Sequence, residues 1–134
     1  MIVADANLVA YLVMPGERTE EAEAVLAKDP VWVAPVLWRS ELRSVVHKYA
    51  MRGDLTIARA VALLAQADDI LGGREGEADW RDVLELAFRS KCSTYDCEYV
   101  ALASTLGVPL VTTDRGILKA FPELAMTPAA FLGA

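Results

Sequence analysis

The sequence predicts a three-layer α/β/α domain with a mostly parallel central sheet. Two observations carry that expectation. Short apolar runs at residues 1–4, 31–34 and 109–112 alternate with longer stretches of helix-forming residues, so crossovers must pack helices onto both faces of the sheet. The first and last runs each close on an aspartate, Asp5 and Asp114, and ligands in such sheets bind beyond the carboxyl ends of the strands.

Taken in order, residues 1–4 form a brief strand, and residues 8–13 begin a helix that Pro15-Gly16 stops, giving one βα unit. Residues 17–28 carry Ala22, Val25 and Leu26 on one side, behind an acid-rich first turn that suits the positive end of a helix dipole. A second strand, 31–34, lies between Pro30 and Pro35. Residues 37–51 and 55–71 read as longer helices, separated by Gly53-Asp54 and ended by Gly72-Gly73. The polar segment 72–79 reads as a loop, and helix 80–89 is supported by Arg81, Glu85 and Arg89 at spacing of four. Ser93 or Thr94 caps a helix that stops at Gly107; strand 109–112 enters Thr113-Asp114, and residues 116–121 begin the last helix. No repeat or linker interrupts this, so residues 1–134 are expected to form one domain.

Composition excludes several classes. About half the residues are apolar, enough to bury a core without disulfides or metal staples. The longest apolar runs, 100–103 and 108–111, fall far short of the roughly 20 residues that span a bilayer. The first residues lack a basic leader and reach Asp5 within one strand length, so a cytoplasmic protein is expected. Cys92, Cys97 and the single His47 cannot assemble a usual four-ligand zinc site, and the cysteines read as packing residues. A net charge of −6 argues against general binding of polyanions. A nucleic acid would have to be met locally, or through metal.

Four acids stand out. Asp5 and Asp114 end strands, although each would also serve as an ordinary helix cap worth about 1 kcal/mol. Glu41 lies on the apolar arc of its helix, where Leu37, Trp38, Ser44 and Val45 offer it no cation. Asp96 is placed similarly, one turn from Tyr99 and Val100, although Ser93-x-x-Asp96 also resembles a capping box. Glu98 points about 200° away from Asp96 and reads as a surface acid. Partly buried carboxylates without partners cost several kcal/mol, roughly, and a metal ion offsets that. Oxygen donors favour a hard divalent ion, Mg²⁺ or Mn²⁺, and phosphodiester hydrolysis is the chemistry such an ion serves.

The segments Ile2-Val3-Ala4-Asp5-Ala6-Asn7, Ser40-Glu41-Leu42, Tyr95-Asp96-Cys97-Glu98-Tyr99-Val100-Ala101-Leu102-Ala103 and Leu110-Val111-Thr112-Thr113-Asp114 resemble, in order and spacing, the successive motifs of PIN domains, especially VapC-like toxins. That resemblance implies a PIN-like fold and a metal-dependent endoribonuclease using one or two Mg²⁺ or Mn²⁺ ions. It also implies a small antitoxin partner, an RNA substrate and a homodimer. Asp5, Glu41, Asp96 and Asp114 match the family's acidic quartet, with Asn7 and Thr112 as polar support. Tyr99 matches an aromatic position that core packing explains equally well. The polar segment 72–79 departs from the pattern, so an edge strand is expected to be shortened or lost there.

Arg39, Arg43 and His47 form a basic stripe beside Glu41, open to phosphate, to an acidic partner or simply to water, and Arg115 adds a cation next to Asp114. A phosphoacceptor receiver domain shares the size and the strand-end acids, but it would need an acidic pair after the first strand and a lysine after a late one. Asp5-Ala6-Asn7 and Thr113-Asp114-Arg115 provide neither. A housekeeping RNA-processing nuclease and a catalytically inactive binding module would share this fold and remain open.

Overall fold

The computed structural model describes residues 1–53 and 55–134. Asp54, expected with Gly53 to separate the third helix from the fourth, lies outside the described residues. The elements run β1 (Ile2–Ala4), α1 (Ala6–Val13), α2 (Thr19–Lys28), β2 (Trp32–Pro35), α3 (Leu37–Met51), α4 (Ile57–Leu71), β3 (Glu75–Gly76), α5 (Trp80–Ser90), α6 (Thr94–Leu106), β4 (Leu110–Val111), α7 (Arg115–Ala120), β5 (Ala125–Met126) and α8 (Pro128–Gly133). The five strands form one parallel sheet in the order β3-β2-β1-β4-β5. Helices cover it on both sides, as predicted.

β1 sits at the centre because it is apolar throughout. Ile2, Val3 and Ala4 are fully buried, as a strand covered on both faces must be. Val3 pairs with Val33 on one side and Leu110 on the other, so the ends of β1 and β4 lie side by side. This register sets Asp5 beside the Thr112–Asp114 segment. α6 packs over β1, β2 and β4, and α5 packs on α6, while α1 packs against α2, α3 and α4. Cys97 is buried in the core and Cys92 half-buried, both free, in keeping with packing roles.

Two expectations need correction. Segment 72–79 is not wholly a loop: Glu75 and Gly76 add a two-residue edge strand to β2, in register with Ala34 and Pro35. Apolar burial does not hold it. Arg74 donates from Nε to the Trp32 carbonyl at 3.1 Å and from Nη2 to the Ile70 carbonyl at 2.7 Å, pinning a polar strand by hydrogen bonds. Gly76 lets α6 approach closely: a Cβ there would stand 2.5 Å from Leu102 Cδ1, so the leucine would have to shift to admit one. Nor is the 116–121 region the last helix. β5 pairs with β4, and Thr127 then caps α8 through the Ala130 N–H at 3.1 Å, with Pro128 at the first helical position.

Three helices end in a left-handed cap. Gly72 and Gly107 fill that position for α4 and α6, whereas Lys91, at φ 64°, fills it for α5. A side chain in that conformation costs roughly 1–2 kcal/mol relative to glycine. Among the described residues no helix is long and apolar enough to cross a membrane.

Candidate active site

The structure brings Asp5, Glu41, Asp96 and Asp114 close enough to feel one another's charge, beyond the carboxyl ends of β1 and β4. Asp5 occupies the N-cap position of α1, yet its side chain makes no cap hydrogen bond. Instead Thr112 Oγ1 donates to Asp5 Oδ2 at 2.6 Å, and the aspartate is only 8% exposed. Thr112 is itself fully buried and accepts the Asp114 N–H at 3.0 Å. One hydroxyl thus fixes both strand-end acids, as the period-two spacing of Thr112 and Asp114 allows. Asp114 does act as a cap: its Oδ1 accepts the Ile117 N–H at 2.9 Å.

Glu41 is half-buried on α3, and its Oε1 accepts a 2.6 Å hydrogen bond from the hydroxyl of Tyr99. Sequence reasoning assigned Tyr99 no role in the site. The available signal was its place one turn after Asp96, on the same side of α6. Asp96 lies in the first turn of α6, where Ser93 Oγ accepts its backbone N–H at 3.0 Å. The capping reading of Ser93 therefore holds, and it leaves the Asp96 side chain facing the crevice acids.

Electrostatics record the convergence. Burial pushes the Asp5 carboxyl above its ordinary range, and Asp114 and Asp96 add to the rise against the opposing Thr112 hydrogen bond. Burial likewise raises Glu41, aided by Asp5, Asp96 and Glu98 and opposed by Tyr99. Asp96 is raised by burial and by Asp114. Tyr99 is pushed well above the usual phenol range by burial and by the Glu41 carboxylate it serves. Among the described residues none of the four acids has a cation within ion-pair distance. None the less, no three His, Cys, Asp or Glu side chains among the described residues close around one point as metal ligands.

Other assignments shift. Glu98 is not an ordinary surface acid: it is half-buried, its carboxyl is raised by burial, and its charge is felt by Glu41 and Tyr99. Its separation from Asp96 around the helix turns it toward the Glu41 side instead. Asn7 is exposed; only its backbone N–H bears on Asp5, favouring the charged form. The basic stripe on α3 is partly spent within the fold. Arg39 makes a two-point ion pair with Glu75, at 2.9 and 2.8 Å, and reaches Asp68 at 2.8 Å. Arg43 donates to the Arg39 carbonyl and to Ser40, while His47 is exposed. On the opposite flank, a cavity of about 810 Å³ has Asp96 in its wall, together with Ser93, Cys92, Lys91, Arg89 and Lys119.

A parallel α/β domain whose strand-end acids share a crevice with helix-borne carboxylates defines a class, the acidic-site α/β proteins that meet ligands at the carboxyl edge of the sheet. Comparison with known proteins narrows it. The PIN domain family model matches residues 2–123, and the chain belongs to that family. It is 31% identical over 130 residues to ribonuclease VapC3 of Pyrobaculum aerophilum, covering 95% of this chain and 98% of that one. It is 30% identical over 130 residues to ribonuclease VapC3 of Mycobacterium tuberculosis, covering 91% and 88%. In fold it is similar to PAE2754 of Pyrobaculum aerophilum, with a TM-score of 0.80 at 20% identity, covering 98% of this chain and 92% of that one. FitAcB of Neisseria gonorrhoeae gives a TM-score of 0.74 at 20% identity, covering 96% and 99%.

Proposed function

We propose that the chain is a divalent-metal-dependent endoribonuclease, the toxin of a toxin-antitoxin pair acting in the cytoplasm. The observation that carries the reading is Asp5, a buried carboxylate at a cap position that does not cap, surrounded by three further acids and no cation. Its likeness to ribonucleases named VapC3 over nearly the whole chain supports the substrate class.

The donor set fits one or two Mg²⁺ or Mn²⁺ ions, held by Asp5, Glu41, Asp96 and Asp114, because hard oxygen ligands suit hard cations. Such an ion supplies charge stabilisation to a phosphodiester and acidifies bound water. The chain's own residues do the positioning. Thr112 fixes Asp5 Oδ2, and the Ile117 N–H fixes Asp114 Oδ1, so each strand-end acid is held by one oxygen. Tyr99 holds Glu41 Oε1, so Glu41 Oε2 is free to accept a proton from an attacking water, a task its raised pKa suits. Asn7, exposed two residues after Asp5, is a polar group open to substrate.

The protein partners follow from exposed apolar surface. Trp80, Leu84 and Phe88, at spacing of four on α5, are exposed, Phe88 by 86%. Arg81 and Glu85 flank the stripe, and an antiparallel pairing of two α5 helices would match them across a twofold axis, so this face suits a second copy of the chain. Ile57 and Val61 on α4, with Met51 at the end of α3, form a separate apolar patch suited to the amphipathic helix of an antitoxin.

The test is cleavage of single-stranded RNA by purified chain with Mg²⁺, with Mn²⁺ and with EDTA, for wild type and Asp5→Asn. Cleavage only by wild type with metal is expected. Wild-type rates in EDTA or in Asp5→Asn would overturn the nuclease reading. Coexpression with the product of an adjacent short reading frame separates toxin from housekeeping enzyme: the toxin arrests growth alone and is rescued by the neighbour.

A further inference from the structure

Resting on the nuclease reading, we infer that the groove between the end of α5 and α7 carries the RNA backbone away from the acidic crevice, with Lys91 and Lys119, joined by Arg89, seated on its phosphates. Three observations place it there.

The groove adjoins the site. Asp96 stands in its wall, and it is an open groove of about 810 Å³, room enough for a strand of RNA to lie along. A strand whose phosphate meets the carboxylates must leave in some direction, and this opening begins at one of them.

The groove also concentrates cations that the fold does not use. The chain has 13 Lys and Arg against 19 Asp and Glu, so its average field repels RNA and affinity must come from a local cluster. Arg89, Lys91 and Lys119 line one cavity, and among the described residues none is within ion-pair distance of a carboxylate. Glu123 is the one acid besides Asp96 on that wall. By contrast Arg39, head of the α3 stripe, is held by Glu75 and Asp68.

Lys91 itself is the third observation. It adopts a left-handed conformation at the end of α5, where the corresponding ends of α4 and α6 use Gly72 and Gly107. A lysine in a position that favours glycine is kept against local preference, and strain of this kind is tolerated where the side chain has a task. The same fact supplies a clean variant, since Lys91→Gly removes the cation and relieves the backbone.

The experiment measures binding of a fluorescein-labelled 12-nucleotide single-stranded RNA with Mg²⁺, in an Asp5→Asn background that halts cleavage, across a series of KCl concentrations. Each phosphate contact on a single strand contributes about 0.7 to the slope of log K against log salt, so Lys91→Gly with Lys119→Gln should lower the slope by about 1.4 and weaken binding about 25-fold at 0.1 M KCl. With Asp5 restored, the same pair should lose kcat/KM and keep kcat at saturating RNA, with the melting temperature preserved or raised by the relieved backbone at residue 91. Arg43→Gln with His47→Gln should leave the slope unchanged. If wild type cleaves RNA but the Lys91/Lys119 pair binds with the wild-type slope, or the α3 pair carries the loss, the groove is not the track. If wild type neither binds nor cleaves RNA with metal, the nuclease reading falls and takes the groove with it.

Discussion

Replacing Tyr99 by Phe removes one hydroxyl from the site and leaves the ring packed. The residue is 1% exposed, and its hydroxyl donates to Glu41 Oε1 at 2.6 Å. A hydrogen bond to a charged group contributes about 1.5–3 kcal/mol, and solvent around the half-buried Glu41 reduces that to about 1–2 kcal/mol. For a domain of this size the loss lowers the melting temperature by roughly 3–6 °C. The assay is thermal melting in EDTA at pH 7 of wild type, Tyr99→Phe, Glu41→Ala and the double variant. A hydroxyl that holds Glu41 gives a coupling of about 1 kcal/mol or more in that cycle. In RNA cleavage with Mn²⁺, Tyr99→Phe should lower kcat and spare KM, because the carboxylate is still present but no longer aimed. Costs that simply add, with kcat unchanged, would make Tyr99 a packing residue and remove it from the site.

Two further predictions follow from the same geometry. Asp114→Asn preserves the cap on α7, since asparagine accepts the Ile117 N–H as well, whereas Asp114→Ala loses about 1 kcal/mol, or roughly 3 °C; both should abolish cleavage, and equal melting temperatures for the two would refute the cap. Burial and mutual repulsion raise the carboxyls of Asp5, Glu41 and Asp96 above their unfolded values. The folded chain therefore holds more protons than the unfolded one between those values, and stability falls as pH rises through that window. In EDTA, acidification from pH 7 toward 5 should raise the melting temperature, and Mn²⁺ at a hundredfold excess over Kd should add about 2.7 kcal/mol at pH 7. A melting temperature in EDTA that falls on the same acidification would show that burial and repulsion do not raise these carboxyls in the folded state.

Legibility in the sequence follows the range of the interactions involved. β1 and β4 are evident because central parallel strands are apolar on both faces, as Ile2–Ala4 and Leu110–Val111 are. β3 is hidden because Arg74 holds it through carbonyls of Trp32 and Ile70, contacts that leave no apolar pattern. β5 is only two residues long and has no periodicity to show, although Thr127-Pro128 before α8 is a readable helix start. Glu41 and Asp96 stand out by the absence of cations one turn away, a local test that agrees with their surroundings in the fold. That same test fails for Arg39, whose partner Glu75 is 36 residues distant. It also fails for Glu98, whose position around α6 excludes Asp96 but turns it to Glu41. Tyr99 looks like core because it is core; only the fold reveals that its hydroxyl points at a carboxylate.

The strand-end aspartates separate structural from functional demand. Both occupy N-cap positions with extended backbone, Asp5 at φ −65°, ψ 149° and Asp114 at φ −70°, ψ 115°. Asp114 satisfies its helix, so its presence has a sufficient structural cause. Asp5 makes no well-formed cap bond, the Asn7 N–H bearing on it only weakly, and it buries its charge among other acids. A neutral cap such as serine would serve α1 at a smaller desolvation cost. Thr112, buried, commits its hydroxyl to Asp5 while accepting the Asp114 N–H, so valine there would leave both strand-end acids without that anchor. Thr112 and Asp5, from opposite ends of the chain, thus form one buried polar pair, and a buried carboxylate without a cation is the kind of local cost expected where function is served at the expense of stability.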